Sequence, residues 1–319
     1  MAQMLLKRLV SLILIVLAIT FVTFILGYFA PGDPIRNLLG LQFNPIVYKI
    51  LRHKYGLDLP WYQQYGAFLI NLLHFNLGLS IVQENRPVWD IIKEGVPISV
   101  ELGFWALVIQ YVVGVPLGVL SATRANTWVD TMSTGTLLIV YTLPAFITCV
   151  FVQVLLVWLD QKTNLGWPIA GWGAPWQYDW SDLQYKIAPI LILSLGGIAY
   201  IARFTRTNLL EVLHVDYVRT ARAKGLSERA VIYRHALRTA LIPLATILGL
   251  SLGLLIGGAF FIEFIFNIPG LANITLRSVM SYDYPVIQAT TVLIALGVVV
   301  GNLLADFLYS LVDPRIKFA

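Results

Sequence analysis

Charge is scarce in this sequence. Lys, Arg, Asp and Glu make up 12% of its 319 residues, about half the share usual in a soluble domain. So few charges exclude a fully hydrated surface, and much of the exterior must face lipid. A single cysteine, Cys149, excludes an intrachain disulfide. Its apolar neighbours mark it as a small helix-packing residue. The four histidines, His53, His74, His214 and His235, are scattered outside the apolar runs. There is no phosphate-binding P-loop, no His-Glu-x-x-His and no nucleophile–base pair. Catalysis and nucleotide hydrolysis by this chain are therefore not expected. The net charge of +5 is modest and its basic residues are not interleaved with aromatics, so no nucleic-acid partner is expected. Internal repeats and low-complexity tracts are absent. The apolar runs also show no acid–base pair at mid-depth, which a proton-driven carrier usually needs. Glu101 and Asp306 lie near span ends, and Glu263 just beyond a span.

What is present is hydrophobicity, at 58% of residues. Runs at 9–29, 99–120, 132–158, 187–202, 239–261 and 286–309 suit a bilayer core of about 30 Å. The first is too long for a signal peptide and no Ala-x-Ala site follows, so it reads as an uncleaved span. The expected fold is all-α and polytopic, with six transmembrane helices. Two regions are expected: 1–98, a span plus an outward cap containing short helices at 46–55 and 61–73, and 99–319, a five-helix core. Loop 203–238 carries Arg203, Arg206, Arg219, Arg222, Lys224, Arg229, Arg234 and Arg238. With Lys7, Arg8, Arg124, Arg315 and Lys317 it falls on one side of the membrane; Lys162, Lys186 and Arg277 fall on the other. The positive-inside rule places the basic side, and both termini, in the cytoplasm.

Within the basic loop, Asp216 to Lys224 predicts one short helix, ended by a left-handed Gly225. Ser227 is placed to cap a second helix running to about Arg238. A cationic loop could simply lie on anionic lipid. That reading accounts for the charge but not for a glycine between two short helices, with small Ala221 and Ala223 on the first.

The segment Tyr217-x-Arg-Thr-Ala-Arg-Ala-Lys-Gly-Leu, followed by Arg234-His-Ala-Leu-Arg-x-Ala-Leu-Ile-Pro243, resembles the dipeptide/oligopeptide permeases of ABC importers. In the general coupling motif of such permeases, Glu, Ala and Pro stand where this chain has Arg219, Thr220 and Arg238. Further matches are Ala30-Pro31-Gly32-Asp33-Pro34, Ile268-Pro269-Gly270-Leu271, Asp283-Tyr284-Pro285-Val286 and Asp313-Pro314-Arg315. They occur in the family's order across nearly the whole chain. The resemblance is to the first permease of a heterodimeric type I importer. It implies a second permease, two cytoplasmic ATPases that bind the ATP and Mg, an extracytoplasmic substrate-binding protein, and no cofactor or metal on this chain. It also implies that Asp216, Tyr217, Arg219, Thr220, Ala221, Ala223, Lys224, Gly225 and Leu226 contact an ATPase. A secondary carrier working without ATPases is the alternative.

Other patterns have two readings. Glycines recur at four-residue spacing: Gly114 and Gly118; Gly249, Gly253 and Gly257; Gly297 and Gly301. Such stripes let helices approach closely, and the 249–257 stripe could instead line the pathway. Pro116, Pro144 and Pro243 can kink their helices, Pro243 just past the basic loop. Trp167, Trp172, Trp176 and Trp180, with Tyr178 and Tyr185, read as an interfacial anchor or as a platform for a binding protein or substrate.

Overall fold

The computed structural model describes the backbone of residues 2–30, 32–83, 86–164 and 166–312, and side chains over the same residues except 2–12, 42, 256 and 305–312. The side chains of Lys7, Arg8 and Asp306 and the Asp313-Pro314-Arg315 motif lie outside these limits. The described residues form helices, with one isolated β-bridge between Leu79 and Pro87.

Helix α1 (Ala2–Phe29) is followed by three short cap helices, α2 (Pro34–Leu39), α3 (Pro45–Lys54) and α4 (Trp61–Leu73). Asp33 and Asn44 start α2 and α3. Each side-chain oxygen accepts two backbone N–H groups of the first turn, and a proline stands at the helix start. The long helices α5 (Val88–Thr123) and α8 (Trp180–Leu213) flank α6 (Trp128–Thr142) and α7 (Ala145–Thr163). Then come α9 (Asp216–Ala223), α10 (Glu228–Ala240), α11 (Ile242–Leu254), α12 (Phe260–Ile265), α13 (Leu271–Ser281) and α14 (Tyr284–Val312). Helices α5, α7, α8 and α14 are each long and apolar enough to cross a membrane. The bent pair α10–α11, taken as one span, is long and apolar enough for a fifth, and α1, apolar over Ile13–Phe29, is the sixth run.

Two expected spans are broken. The third parts at Leu143 and Pro144, both extended, because proline lacks an N–H and disfavours helical backbone before it. The fifth turns by 49° between α10 and α11, where Pro243 occupies the first turn of α11. It breaks again at Gly258, whose φ is +68°. Helices α5 and α8 also extend well past their apolar runs. The first eleven residues of the expected 203–238 loop therefore belong to α8, and α5 runs straight through the 98/99 division.

Packing explains the glycine stripes. A Cβ on Gly114 would come within 3.0 Å of the Ile201 side chain, and one on Gly118 within 2.4 Å of the Ala202 carbonyl oxygen. Those glycines seat α5 on α8. On Gly301 a Cβ would stand 2.1 Å from Gly253 Cα and 3.2 Å from the Gly249 carbonyl oxygen, so α11 and α14 touch backbone to backbone. Gly249 and Gly253 thus serve packing within the chain. Gly257 has only Ile294 nearby, at 3.6 Å. Cys149 is buried in a core with Leu102, Trp172, Ile262 and Ile268.

Candidate functional site

The basic loop folds into a clamped turn. Val215 is extended and α9 starts at Asp216, whose carboxylate suits the positive end of the helix dipole. Helix α9 ends at Ala223. Gly225 takes φ +76°, and its N–H reaches the Arg222 carbonyl at 2.9 Å. Nothing lies within 4 Å of where a Gly225 Cβ would stand, so only backbone conformation demands glycine there. Ser227 is extended before α10, but its side chain makes no capping hydrogen bond. The expected serine cap is absent, and an ion pair holds the turn instead. Arg222 grips Glu228 through Nε, at 3.0 and 3.1 Å, and Nη2, at 2.7 Å. This two-pronged geometry fixes both arms across Gly225. Arg222 Nη1 also donates to the Leu213 carbonyl at the end of α8, at 3.4 Å. The guanidinium holds the Glu228 carboxyl below the usual carboxylate range.

One face of the turn is welded to the core. Val218, Ala221, Val231, Ala236 and Ala240 are buried against Val119 and Ala122 of α5 and Leu209 of α8. Burying side chains such as Val218 and Val231 stabilises the attachment by about 1.5–3 kcal/mol each. Ala221 is thus a packing residue here, not part of an open contact surface, which corrects its expected role. Its small size brings α9 close to α5 rather than to a partner. Val218, one helical turn before Arg222, completes this face and was not singled out from the sequence; its spacing of three from Ala221 was the available signal.

The opposite face is open. Val215, Tyr217, Leu226 and Tyr233 are 46%, 41%, 42% and 58% exposed, ringed by Arg219, Ala223 and Lys224. Tyr217 is not loose, since its hydroxyl donates to Thr239 Oγ1 at 2.9 Å. Thr220 donates to the Asp216 carbonyl. The exposed Asp216–Arg219 pair, at 3.5 Å, adds little. Eight of the nine expected contact residues therefore share an exposed turn, and Ala221 lies beneath it.

A second ion pair stands nearby. Arg206 on α8 forks onto Asp130 at the start of α6, with both contacts at 2.7 Å. Ser121 also donates to Asp130, as does the Asn126 N–H at 3.0 Å. Hydropathy places Arg206 in the basic loop, away from Asp130. Only the extension of α8 past its apolar run brings Arg206 to the 124–130 turn.

At the other end of α5, Glu101 and Lys186 form an ion pair at 2.9 Å with both side chains wholly buried. No buried acid–base pair was expected between the spans, because hydropathy places Lys186 in a loop. Lys186 also donates to the carbonyls of Ala174 and Gln177. Glu101 accepts from Trp172 Nε1 at 3.0 Å and from the Trp176 N–H at 2.9 Å. Trp172 is 1% exposed, so this tryptophan is core rather than an interfacial anchor. Trp176 and Trp180 remain exposed.

Glu263 is buried and accepts from Ser99 Oγ at 2.8 Å and from the N–H groups of Ala259 and Asn273. Its carboxylate fills the space where a Cβ of Gly258 or Gly270 would stand, at 2.4 Å. It thereby caps α13 and holds the break in the fifth span. Beside this break lies a cavity of about 260 Å³ between α5, α8 and α11, lined by Ser99, Gly103, Gln110, Ser251 and Leu255.

The sequence matches the family model "Binding-protein-dependent transport system inner membrane component" over residues 114–318, and the N-terminal model of the same family over 1–103. It is 37% identical to the oligopeptide transport system permease protein AppB of Bacillus subtilis, with all of both chains covered. It is 35% identical to the dipeptide transport system permease protein DppB of Alkalihalophilus pseudofirmus, over 98% of each chain. Among solved structures, the inward-facing MetNI methionine ABC transporter aligns with a TM-score of 0.55 at 21% identity. That alignment covers 70% of this chain and 97% of the other; at such identity the likeness is one of fold.

Proposed function

Because the chain belongs to the family of binding-protein-dependent transport system inner membrane components, we propose that it is a pathway-forming permease of an ATP-driven importer for dipeptides or oligopeptides. Family membership makes it a multi-pass inner-membrane transport subunit rather than an enzyme. The peptide class rests on the names of full-length relatives. In this reading a second permease completes the pathway, an extracytoplasmic protein delivers the substrate, and two cytoplasmic subunits bind and hydrolyse ATP. Both termini and the clamped turn face the cytoplasm.

The observation that carries coupling is the two-faced turn at 214–240. Its buried face is fixed to α5 and α8, while its open face offers Tyr217, Leu226 and Tyr233. A subunit that grips the open face moves the two long helices with it. Directional transport then requires the pathway to bind delivered substrate differently in its two states. The cavity beside Gln110 and Ser251 is the place within this chain where α5, α8 and α11 could change that affinity.

Tagged purification in mild detergent, with mass spectrometry of the partners, tests the assignment. A second permease and ATPase subunits should co-purify, and the ATPases should be lost when Gly225→Pro is introduced. Proline cannot take φ +76° and has no N–H for the Arg222 carbonyl. Purification of the chain alone, with transport in liposomes that needs no ATP, would instead favour a secondary carrier.

A further inference from the structure

Between Glu101 and Arg124, helix α5 carries a single side chain that is charged or bears an amide, Gln110. It stands at the middle of the apolar run 99–120, where an amide is costly unless its hydrogen bonds are made. Gln110 makes only part of them. Its Nε2 donates to the Leu193 carbonyl of α8 at 3.3 Å. Among the described residues nothing donates to Oε1, and the second Nε2 hydrogen has no acceptor. Gly197 of α8 gives this side chain its place. A Cβ on Gly197 would stand 2.0 Å from Gln110 Cδ and 2.4 Å from its Oε1.

The same carboxamide lines the cavity of about 260 Å³ between α5, α8 and α11. The other polar side chains of the wall are engaged elsewhere. Ser99 Oγ donates to Glu263 and accepts the Leu271 N–H. Ser251, in the middle of the run 239–261, gives its proton to the Ile247 carbonyl at 2.8 Å and keeps only acceptor capacity. The remaining lining is leucine, alanine and glycine, and no described lining residue is charged. The volume falls below the roughly 300–1,000 Å³ of a complete small-molecule site, which fits a half-site whose facing wall comes from a second permease.

Such a wall has nothing to pair with a charged side chain, and one group that matches a main chain. A peptide bond presents one N–H and one C=O. The Gln110 carboxamide presents a free acceptor and a free donor of the same chemistry. We propose that Gln110 contacts the substrate in transit and recognises the main-chain amide of a peptide. The inference rests on the peptide-importer reading above. It makes selection by this subunit indifferent to the peptide's side-chain charge and dependent on a main-chain N–H.

Competition uptake by the complete importer in ATP-loaded proteoliposomes tests this. The probes are alanine peptides of two to five residues, each paired with a counterpart N-methylated at one peptide nitrogen, both counted by mass spectrometry. Methylation removes the donor and leaves the terminal charges in place. The binding protein's own preference is common to every permease variant, so a change in the uptake ratio belongs to the permease. Gln110→Met, which keeps the length without the amide, should shrink the preference for the unmethylated peptide about fivefold, as for one hydrogen bond. Gly197→Ala should shrink it too with Gln110 still present, because the added methyl meets only the flexible end of that side chain and pushes it aside. Gly135→Ala, with open space around it, should leave the ratio unchanged. A purely structural Gln110 would slow both peptides by one factor, so an unchanged ratio in Gln110→Met and Gly197→Ala overturns the proposal. If the wild type takes up no peptide with ATP present, the peptide reading itself falls, and this site with it.

Discussion

Lys186 Nζ lies 2.9 Å from Glu101 Oε1, and neither side chain is exposed to any degree. The ammonium spends its donors on that carboxylate and on the carbonyls of Ala174 and Gln177, and it sits 4.9 Å from the Tyr178 ring centre. The pair pins the 172–177 segment onto α5 and α8. Removing one member leaves the other charge buried and unpaired. Glu101→Gln or Lys186→Met should each destabilise by about 3–5 kcal/mol, and the double variant Glu101→Leu/Lys186→Met by much less. Thermal unfolding of the detergent-solubilised chain reads this directly. Additive losses in the double variant would show that the two charges act independently.

Across the membrane, the Arg222–Glu228 clamp has a pH signature. Glu228 ionises below its ordinary value of 4.5 because Arg222 hydrogen-bonds its charged form. Its contribution is thus complete above that value and is lost as pH falls through the depressed one. Glu228→Gln should loosen the turn at neutral pH, with little further change on acidification. Limited proteolysis around 222–228, compared between pH 7 and pH 4, is the measurement. Equal protection of wild type and variant at pH 7 would show that the clamp does not hold the turn.

The contact between Gly253 and Gly301 predicts a position-specific intolerance. Overpacking a close contact costs about 1–3 kcal/mol, so Gly301→Val should sharply lower accumulation of folded protein. Gly135→Val should be tolerated, since open space surrounds that glycine. Membrane levels and size-exclusion profiles of the two variants distinguish the sites. Matching behaviour would remove the packing role.

For Arg206, the fork geometry matters more than the charge. Arg206→Lys keeps the cation but cannot make both contacts to Asp130. The variant should assemble with its partners yet transport more slowly, as the end of α8 loosens from the 124–130 turn. Uptake and ATP hydrolysis measured together in proteoliposomes should show hydrolysis retained and uptake reduced. Unchanged uptake would place the pair outside coupling.

Much of this architecture is readable from hydropathy and glycine placement. The apolar runs mark the crossings, and Gly225 marks the turn because a positive φ favours glycine. Two of the three cap helices, α3 and α4, are legible as the stretches at 46–55 and 61–73, whereas α2, started by Asp33 and Pro34, was not expected. What escapes is long-range. Lys186 and Arg206 look like loop charges until α8 is seen to extend beyond its apolar stretch at both ends. Asp283 is a motif residue whose role appears only in three dimensions, where it accepts from Ser80 Oγ and the Ile81 N–H, 203 and 202 residues away. Likewise Gly32 leaves room for Tyr282, and Gly270 for the Glu263 carboxylate. A composition-based reading sees these glycines as turns, whereas the folded chain uses them as space. Trp172 misleads for a related reason. Tryptophan near a span end favours the headgroup region, but a buried carboxylate offers its indole N–H a stronger partner.

Helix α5 contains 36 residues and runs on through Pro97 and Pro116, about 54 Å of helix. Its first turn is buried with Leu271 and Val286, and its last turns are buried against Ala221 and Val231. A rod anchored at both extremities acts as a lever. Pivoting it by about 5° near its middle swings each tip by roughly 2 Å, in opposite senses. Displacement at one membrane face is thereby returned, inverted, at the other, to the extent that the turns around Pro97 and Pro116, each short of a backbone hydrogen bond, stay stiff.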